Sequence, residues 1–202
     1  QYMLTKTDDV PEIVKTSLKG SYDQVVFLAG MINDLATLSR AERGKLTAEI
    51  EPINAHELVN DLRSNYIEEA EKKDLKLIAN ADPHLETLYS SKLYVREVLQ
   101  NFITNSIKYT EKGSVYIEAH NKKGGVLFEV SDTGIGISKA DKEKVFDKFF
   151  RSEDYRTRQN SGTGLGLYVT IKLARLIHAE IDLKSELNKG STFSVFFPNL
   201  DV

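Results

Sequence analysis

Two asparagines four residues apart, Asn101 and Asn105, followed by Lys108, stand in a stretch whose apolar residues recur at helical spacing. At roughly 100° per residue, Val95, Val98, Leu99, Phe102 and Ser106 gather on one side, while Glu97, Asn101, Asn105 and Lys108 form a stripe about 120° away. Asparagine is a poor helix former that prefers caps and turns. Its carbonyl oxygen suits Mg²⁺, a hard cation that keeps waters and binds through few protein ligands plus substrate phosphates, and a nearby ammonium adds positive charge. The same stripe also suits a solvated helix face.

Two glycine-bearing segments add to this. Asp132-Thr-Gly134-Ile-Gly136-Ile137 leaves an alternating strand (Val126, Phe128, Val130) and enters a turn. There glycines allow close backbone approach to a planar ligand, and the carboxylate can accept a hydrogen bond from an exocyclic amine. A plain Asp-x-Gly turn has the same form. Gly162-Thr163-Gly164-Leu165-Gly166-Leu167 runs into a helical stretch, Tyr168–Ile177, the arrangement in which unpaired N–H groups and the helix dipole attract phosphate. Neither a Walker A loop nor a Gly-x-Gly-x-x-Gly after a strand is matched. Residues 147–161, with Lys148, Arg151, Arg156 and Arg158 and no apolar period, read as a lid or as a surface loop.

The elements that position these residues follow from periodicity and punctuation. Ile13, Leu18, Val25, Leu28, Ile32, Leu35 and Leu38 predict a helix over 12–43 after the turn at 6–11, ended by Gly44. A short fragment before it reads as the end of another helix, so a hairpin cut open is expected. From residue 47 the texture changes to alternating strands and helices: a helix capped by Asn54 with Leu58, Leu62, Tyr66 and Ala70 on one face, and a strand over 76–81. A helix capped by Ser90-Ser91 then runs to about 110, followed by hairpins 114–121/126–131 and 180–185/192–197, with a helix of about 14 residues from Gly164 between them.

The 202 residues carry a net charge of −3 with 28% charged residues, which argues against nucleic acid as the main partner. With no cysteine, disulfides, thiolate nucleophiles and Cys-ligated metals are excluded. No apolar run approaches the roughly 20 residues of a membrane span, so no membrane contact is expected of this chain. Beginning at Gln1 without a signal sequence, the chain reads as a soluble piece of something longer.

In order, these pieces resemble the catalytic and ATP-binding domain of sensor histidine kinases, in the ATPase superfamily shared with gyrase, heat-shock chaperone and mismatch-repair ATPases. Asn101–Tyr109 looks like the N box, Asp132–Ile137 like the first glycine box, Phe146–Phe150 like the F box and Gly162–Leu167 like the second glycine box. Residues 21–46 resemble the second helix of the kinases' dimerisation hairpin. The resemblance implies an α+β fold, a two-layer α/β sandwich with a mixed sheet preceded by a long helix. It divides the chain into a partial hairpin at 1–45 and a catalytic domain at 46–202. It also implies Mg²⁺ on Asn105 with Asn101 beside it, Lys108 toward phosphate, Tyr109 against adenine, and Asp132 on the adenine amine. Gly134, Gly136 and Ile137 would shape the pocket with Phe149. Gly162, Thr163, Gly164, Leu165, Gly166 and Leu167 would hold phosphates, with Arg156 or Arg158 reaching the γ-phosphate. Glu97, one turn before Asn101, is a candidate base.

The family's phosphoryl-accepting histidine, on the first hairpin helix, is missing, because no histidine precedes His56. His56 itself sits at a capped helix start without the proline that follows the family's acceptor. His84, His120 and His178 have no metal or triad spacing. The expected function is Mg-ATP binding and γ-phosphate transfer to a histidine on a segment absent from this chain, for signalling to a response regulator. The whole protein is expected to be a homodimer with this portion in the cytoplasm. An ATP-switched chaperone-like module and a serine kinase of the same superfamily are the alternatives, which the hairpin-like residues disfavour.

Overall fold

The structure, a computed structural model, describes residues 11–158 and 162–200. The expected helix-end fragment and most of the turn before residue 11 lie outside these, as do the last three residues of the stretch read as a lid.

Helix α1 (Glu12–Glu42) runs 31 residues and ends before Gly44, whose φ of 63° breaks helical geometry at no steric cost. Strand β1 (Glu51–Ile53) follows, then α2 (Ala55–Glu71), β2 (Leu75–Ala81), β3 (Leu88–Ser90) and α3 (Lys92–Tyr109). Asn54 caps α2 as expected, its side chain accepting from the Glu57 N–H at 3.2 Å and donating to the Glu57 carboxylate at 3.0 Å. Strands β4 (Gly113–Lys122) and β5 (Gly125–Asp132) form the first hairpin, and β6 (Glu180–Glu186) and β7 (Gly190–Pro198) the second. Between them lie α4 (Lys139–Lys142), α5 (Tyr155–Arg158) and α6 (Gly166–Leu176).

One sheet of order β2-β4-β5-β7-β6 carries the fold, with β2–β4 parallel and the remaining pairs antiparallel. Register aligns Ile117 with Val130 and Ala119 with Phe128 on one side, and Val130 with Phe193 and Phe128 with Val195 on the other. One sheet face is therefore continuously apolar, and α2, α3 and α6 cover it with Leu58, Leu62, Val98, Leu99, Phe102, Ile103 and Leu173, all buried. This is the expected two-layer α+β sandwich. Its centre is an aromatic pair: Phe102 of α3 stacks on Phe193 of β7 with ring centroids 4.9 Å apart.

Four local expectations need correction. Strands β1 and β3 were not expected; three residues each, they pair only with one another, and such short runs leave no period to read. Ser91 stands at the N-cap of α3 without making a side-chain capping bond, and the buried Ser90 hydroxyl has no hydrogen-bond partner among the described residues. Helix α6 starts at Gly166 rather than Gly164 and is 11 residues long, because Gly164 has φ 70°. The stretch read as a lid holds one single-turn helix, α5, among its described residues, and a second, α4, precedes it, capped by the Ser138 hydroxyl.

Candidate functional site

Burial of one face of α3 fixes the direction of the other. With Val95, Val98, Leu99, Phe102 and Ile107 sunk into the core, Glu97, Asn101, Asn105 and Lys108 face a cavity of about 490 Å³. The floor is the end of β5 and the start of β7, the far wall is the loop before α6 with that helix's first turn, and Asn33 and Asp34 of α1 close a third side.

Asp132 is the last residue of β5, opposite Ser191. One carboxylate oxygen accepts the N–H groups of Gly134 (2.9 Å) and Ser191 (3.2 Å), and the other accepts the Ser106 hydroxyl (3.2 Å). Burial raises its pKa, and these three hydrogen bonds oppose that rise. The turn beyond it tolerates only glycine at two places. A Cβ on Gly134 would meet the Tyr109 carbonyl, and Gly136, at φ 64°, lies against the Glu186 carbonyl.

On the α3 wall the Asn105 amide donates to Asn101 Oδ1 at 2.7 Å, which leaves the Asn105 carbonyl oxygen as its acceptor toward the cavity. Gly166 lets the start of α6 approach the same pair, since a Cβ there would stand 2.8 Å from the Asn101 amide nitrogen. Burial beside Arg151 and Lys73 pushes the Lys108 pKa down to about 8, and its ammonium lies 5.1 Å from the centre of the Tyr109 ring. Burial likewise raises Glu97, offset by Arg40 and reinforced by Asp34.

The second glycine segment is held from the sides. Phe149 N–H donates to the Gly164 carbonyl at 3.0 Å, and the Thr163 hydroxyl accepts the Leu165 N–H at 3.0 Å while donating to Asp34 at 3.4 Å. Burial raises the Asp34 pKa, and the Thr163 bond partly opposes this.

Of the sequence-predicted residues, Glu97, Asn101, Asn105, Lys108, Tyr109, Asp132, Gly136, Ile137, Gly162, Thr163, Gly164, Gly166 and Leu167 line one cavity, though they span 71 positions of the chain from 97 to 167. Four do not line it. Gly134 acts one layer back, through its close approach to Tyr109. Leu165 is buried in the core under α6. Phe149, at φ 65°, turns its ring outward at 59% exposure, and its neighbour Phe150 lines the cavity instead. Arg156 is drawn to Asp154 (2.6 Å) and Asn188 (2.8 Å), whereas Arg151 and Thr157 reach the wall. The side chain of Arg158 is outside what the structure describes. Sequence reasoning missed Asp34, Ser191 and the role of Ser106. The one available signal was Ser106, a polar residue amid the apolar face of α3.

A half-buried carboxylate, a glycine-lined approach and a helix start thus meet around one cavity of a two-layer α/β fold. Residues 91–201 match the family described as histidine kinase-, DNA gyrase B-, and HSP90-like ATPase, and the chain belongs to that family. It is 30% identical over 184 residues to the circadian input-output histidine kinase CikA of Synechococcus elongatus, covering 90% of this chain and 24% of that protein. It is 31% identical over 183 residues to the aerobic respiration control sensor protein ArcB of Escherichia coli, covering 88% and 23%. It spans about a quarter of the length of these curated relatives. Among solved structures it superposes with TM-score 0.80 on full-length ShkA in complex with AMPPNP (24% identity, 98% of this chain, 42% of that one). It superposes with TM-score 0.65 on the catalytic domain of histidine kinase ThkA (25% identity, 75% and 96%). Among the described residues no helix is long and apolar enough to cross a membrane.

Proposed function

We propose that this chain is the catalytic portion of a sensor histidine kinase, which binds Mg-ATP in the cavity between α3 and α6 and presents the γ-phosphate to a histidine outside these 202 residues. The observation that carries this is the meeting, around one cavity, of the Asn101–Asn105 pair, Lys108, the anchored Asp132 and the glycine loop that opens α6. Asp132 accepts the adenine amine, because its carboxylate is already oriented by Gly134, Ser191 and Ser106. Gly136 and Ile137 admit the ring plane. The first N–H groups of α6, with Gly162 and Gly164, hold phosphate oxygens.

The oxygen donor of Asn105, with Asn101 orienting its amide, fits a hard cation, and bound Mg²⁺ would supply neutralisation of phosphate charge. Lys108 adds a positive charge whose desolvation is relieved when an anion arrives. Little covalent chemistry is asked of the protein, since phosphoryl transfer rests on positioning and charge. Glu97, whose pKa burial raises, serves as the base for the incoming histidine.

In this reading residues 1–45 are a partial dimerisation hairpin and 46–202 the catalytic domain. The complete protein works as a homodimer, cytoplasmic in this portion, and its phosphoryl group passes to a response regulator. The apolar side of α1 supports the hairpin assignment over a chaperone-like switch or a serine kinase: Leu28 and Ile32 are 52% and 67% exposed, a face made to be covered.

The test incubates the chain, with and without a supplied histidine-bearing hairpin, with ATP labelled at the γ-phosphate, followed by an alkaline quench. Alkali-stable, acid-labile label is expected on the supplied hairpin and not on this chain. Label mapped to His56 would overturn the reading of the acceptor, and absence of transfer to any hairpin, with ATP bound, would favour the switch module.

A further inference from the structure

An α-helix leaves its last four carbonyls without partners inside the helix, and those of α3 end where the nucleotide site begins. They are Ser106, Ile107, Lys108 and Tyr109. The usual closure by a glycine in the left-handed region is absent, because the C-cap, Thr110, is extended at φ −106° and ψ 122°. Each carbonyl nevertheless has a partner. Ser106 accepts the Thr110 hydroxyl at 2.7 Å, and Tyr109 accepts the Ile135 N–H at 3.1 Å from within the first glycine segment. The two between them, Ile107 and Lys108, are both taken by one group: Lys73 Nζ, at 2.6 and 3.0 Å.

Lys73 is well placed to do this reproducibly. It sits in the turn between α2 and β2, where its own N–H bonds the Ala70 carbonyl and the Asp74 N–H bonds Glu71, both at 3.0 Å. Asp74 takes φ 56°, a conformation that aspartate tolerates better than most residues, and Leu75 then enters the sheet beside Gly113. The backbone of Lys73 is therefore fixed on both sides, 34 residues away in sequence from the helix end it closes. A cation at a helix C-terminus also complements the negative end of the dipole.

We infer that Lys73 is a positioning residue for the nucleotide site: its ammonium closes the carboxyl end of α3 and so fixes where Lys108 and Tyr109 leave the helix and where the Asp132–Ile137 turn docks. This rests on the reading of the cavity as an ATP site. Beyond position there is an electrostatic consequence. Lys108 is faced by Arg151 from the loop before α5 and by Lys73 from the α2–β2 turn, with the Tyr109 ring against it, while Lys73 is faced by Glu69 and Glu111. Removing the Lys73 charge makes protonation of Lys108 easier.

The test compares the unaltered chain with Lys73→Met, Lys73→Gln and Lys73→Arg by two readouts. The first needs no nucleotide. Hydrogen exchange at the Ile135 amide, bonded to the end of α3, is expected to speed up in the Met and Gln variants and to stay slow in Arg. The second is calorimetric titration with Mg-ATP at a series of pH values spanning 8, the region where Lys108 titrates. Met and Gln are expected to weaken binding about three- to tenfold at neutral pH, as expected for loss of a C-terminal cation with its hydrogen bonds. The midpoint of the alkaline fall in affinity is also expected to move to higher pH, with Arg restoring both. Unchanged exchange together with unchanged affinity would overturn the inference. So would a fall in affinity with an unmoved midpoint and no rescue by Arg, which marks a merely structural loss. If the unaltered chain binds no ATP, the site reading fails, and the exchange measurement still decides whether Lys73 holds the turn.

Discussion

The two glycine segments of the cavity are built on opposite principles. The first, Asp132–Ile137, is bonded into the sheet at nearly every step: Gly134 to Asp132, Ile135 N–H to Tyr109, Ile137 N–H to the Ser185 hydroxyl at 2.8 Å, and the Ile135 carbonyl to Asn188 N–H at 2.7 Å. The second, Gly162–Leu167, hangs from the Phe149 backbone, its own Thr163 hydroxyl and a long bond to Asp34 on α1. In the proposed reading, a site that selects one base and passes a γ-phosphoryl group to its acceptor is served by a rigid end and an adjustable end. On that reading, the difference assigns base selection to the β5 end and phosphate binding to the α6 end.

The largest effect expected lies between the two ends. Asn105→Ala removes the proposed metal ligand and the bond to Asn101, so Mg²⁺-dependent ATP binding and turnover are expected to be lost with the fold intact. Calorimetry with Mg-ATP and far-ultraviolet dichroism check both halves. Unchanged affinity would take Asn105 out of the metal site. Next comes the rigid end. Asp132→Asn puts a donor where an acceptor faces the adenine amine, leaving buried polar groups mismatched at about 2–3 kcal/mol, or about thirty- to a hundred-and-fiftyfold in affinity. The unaltered chain should prefer ATP over GTP by a similar factor, since guanine presents a carbonyl there. Equal affinities would count decisively against the role.

A smaller effect separates the ends by pH. Lys108, with its pKa drawn down from 10.5 to about 8, is charged below that value at a cost to the nucleotide-free fold. The sign follows from the depressed folded value: the penalty is fully present below about 8 and disappears as pH rises toward 10.5, so stability from this group increases over that window. ATP affinity should move oppositely, falling as pH rises through 8. Thermal melts and titrations across the same window would refute the assignment if Lys108→Met left both slopes in place.

Much of this site is legible in the sequence because its determinants are periodic or glycine-specific. The α3 stripe is set by its apolar complement, and Gly134, Gly136 and Gly164 stand where a side chain would strike backbone. What stays hidden depends on chain segments far apart. Ser191 reaches Asp132 only through strand register across 59 positions, and Lys73 reaches α3 only because β2 pairs parallel with β4. Arg156 shows the converse: the family resemblance implied a phosphate contact, and Asp154, two residues away, holds the guanidinium outside the cavity lining. Short β1 and β3 lack any period, so only their pairing reveals them.

The smallest effect is expected where α1 meets the adjustable end. Asp34 lines the cavity beside Glu97, and its carboxylate accepts the Thr163 hydroxyl at 3.4 Å, a bond at the edge of hydrogen-bonding distance. Losing such a bond costs little. The negative charge, however, faces the loop proposed to receive phosphates, and two like charges separated by several ångströms at a partly wet site repel by an amount worth a few-fold in affinity. Asp34→Asn keeps the shape and can still engage Thr163 while removing the charge, so it should strengthen ATP binding about two- to fivefold at low salt. The gain should shrink as salt is added, because screening weakens the repulsion that the unaltered chain feels. Asp132→Asn, at the rigid end, should show no comparable salt dependence, since its defect is a mismatched donor. Titrations at two ionic strengths make the comparison, and an Asp34→Asn chain that binds ATP more weakly than the unaltered one would show that the contact supports the loop instead of opposing the ligand.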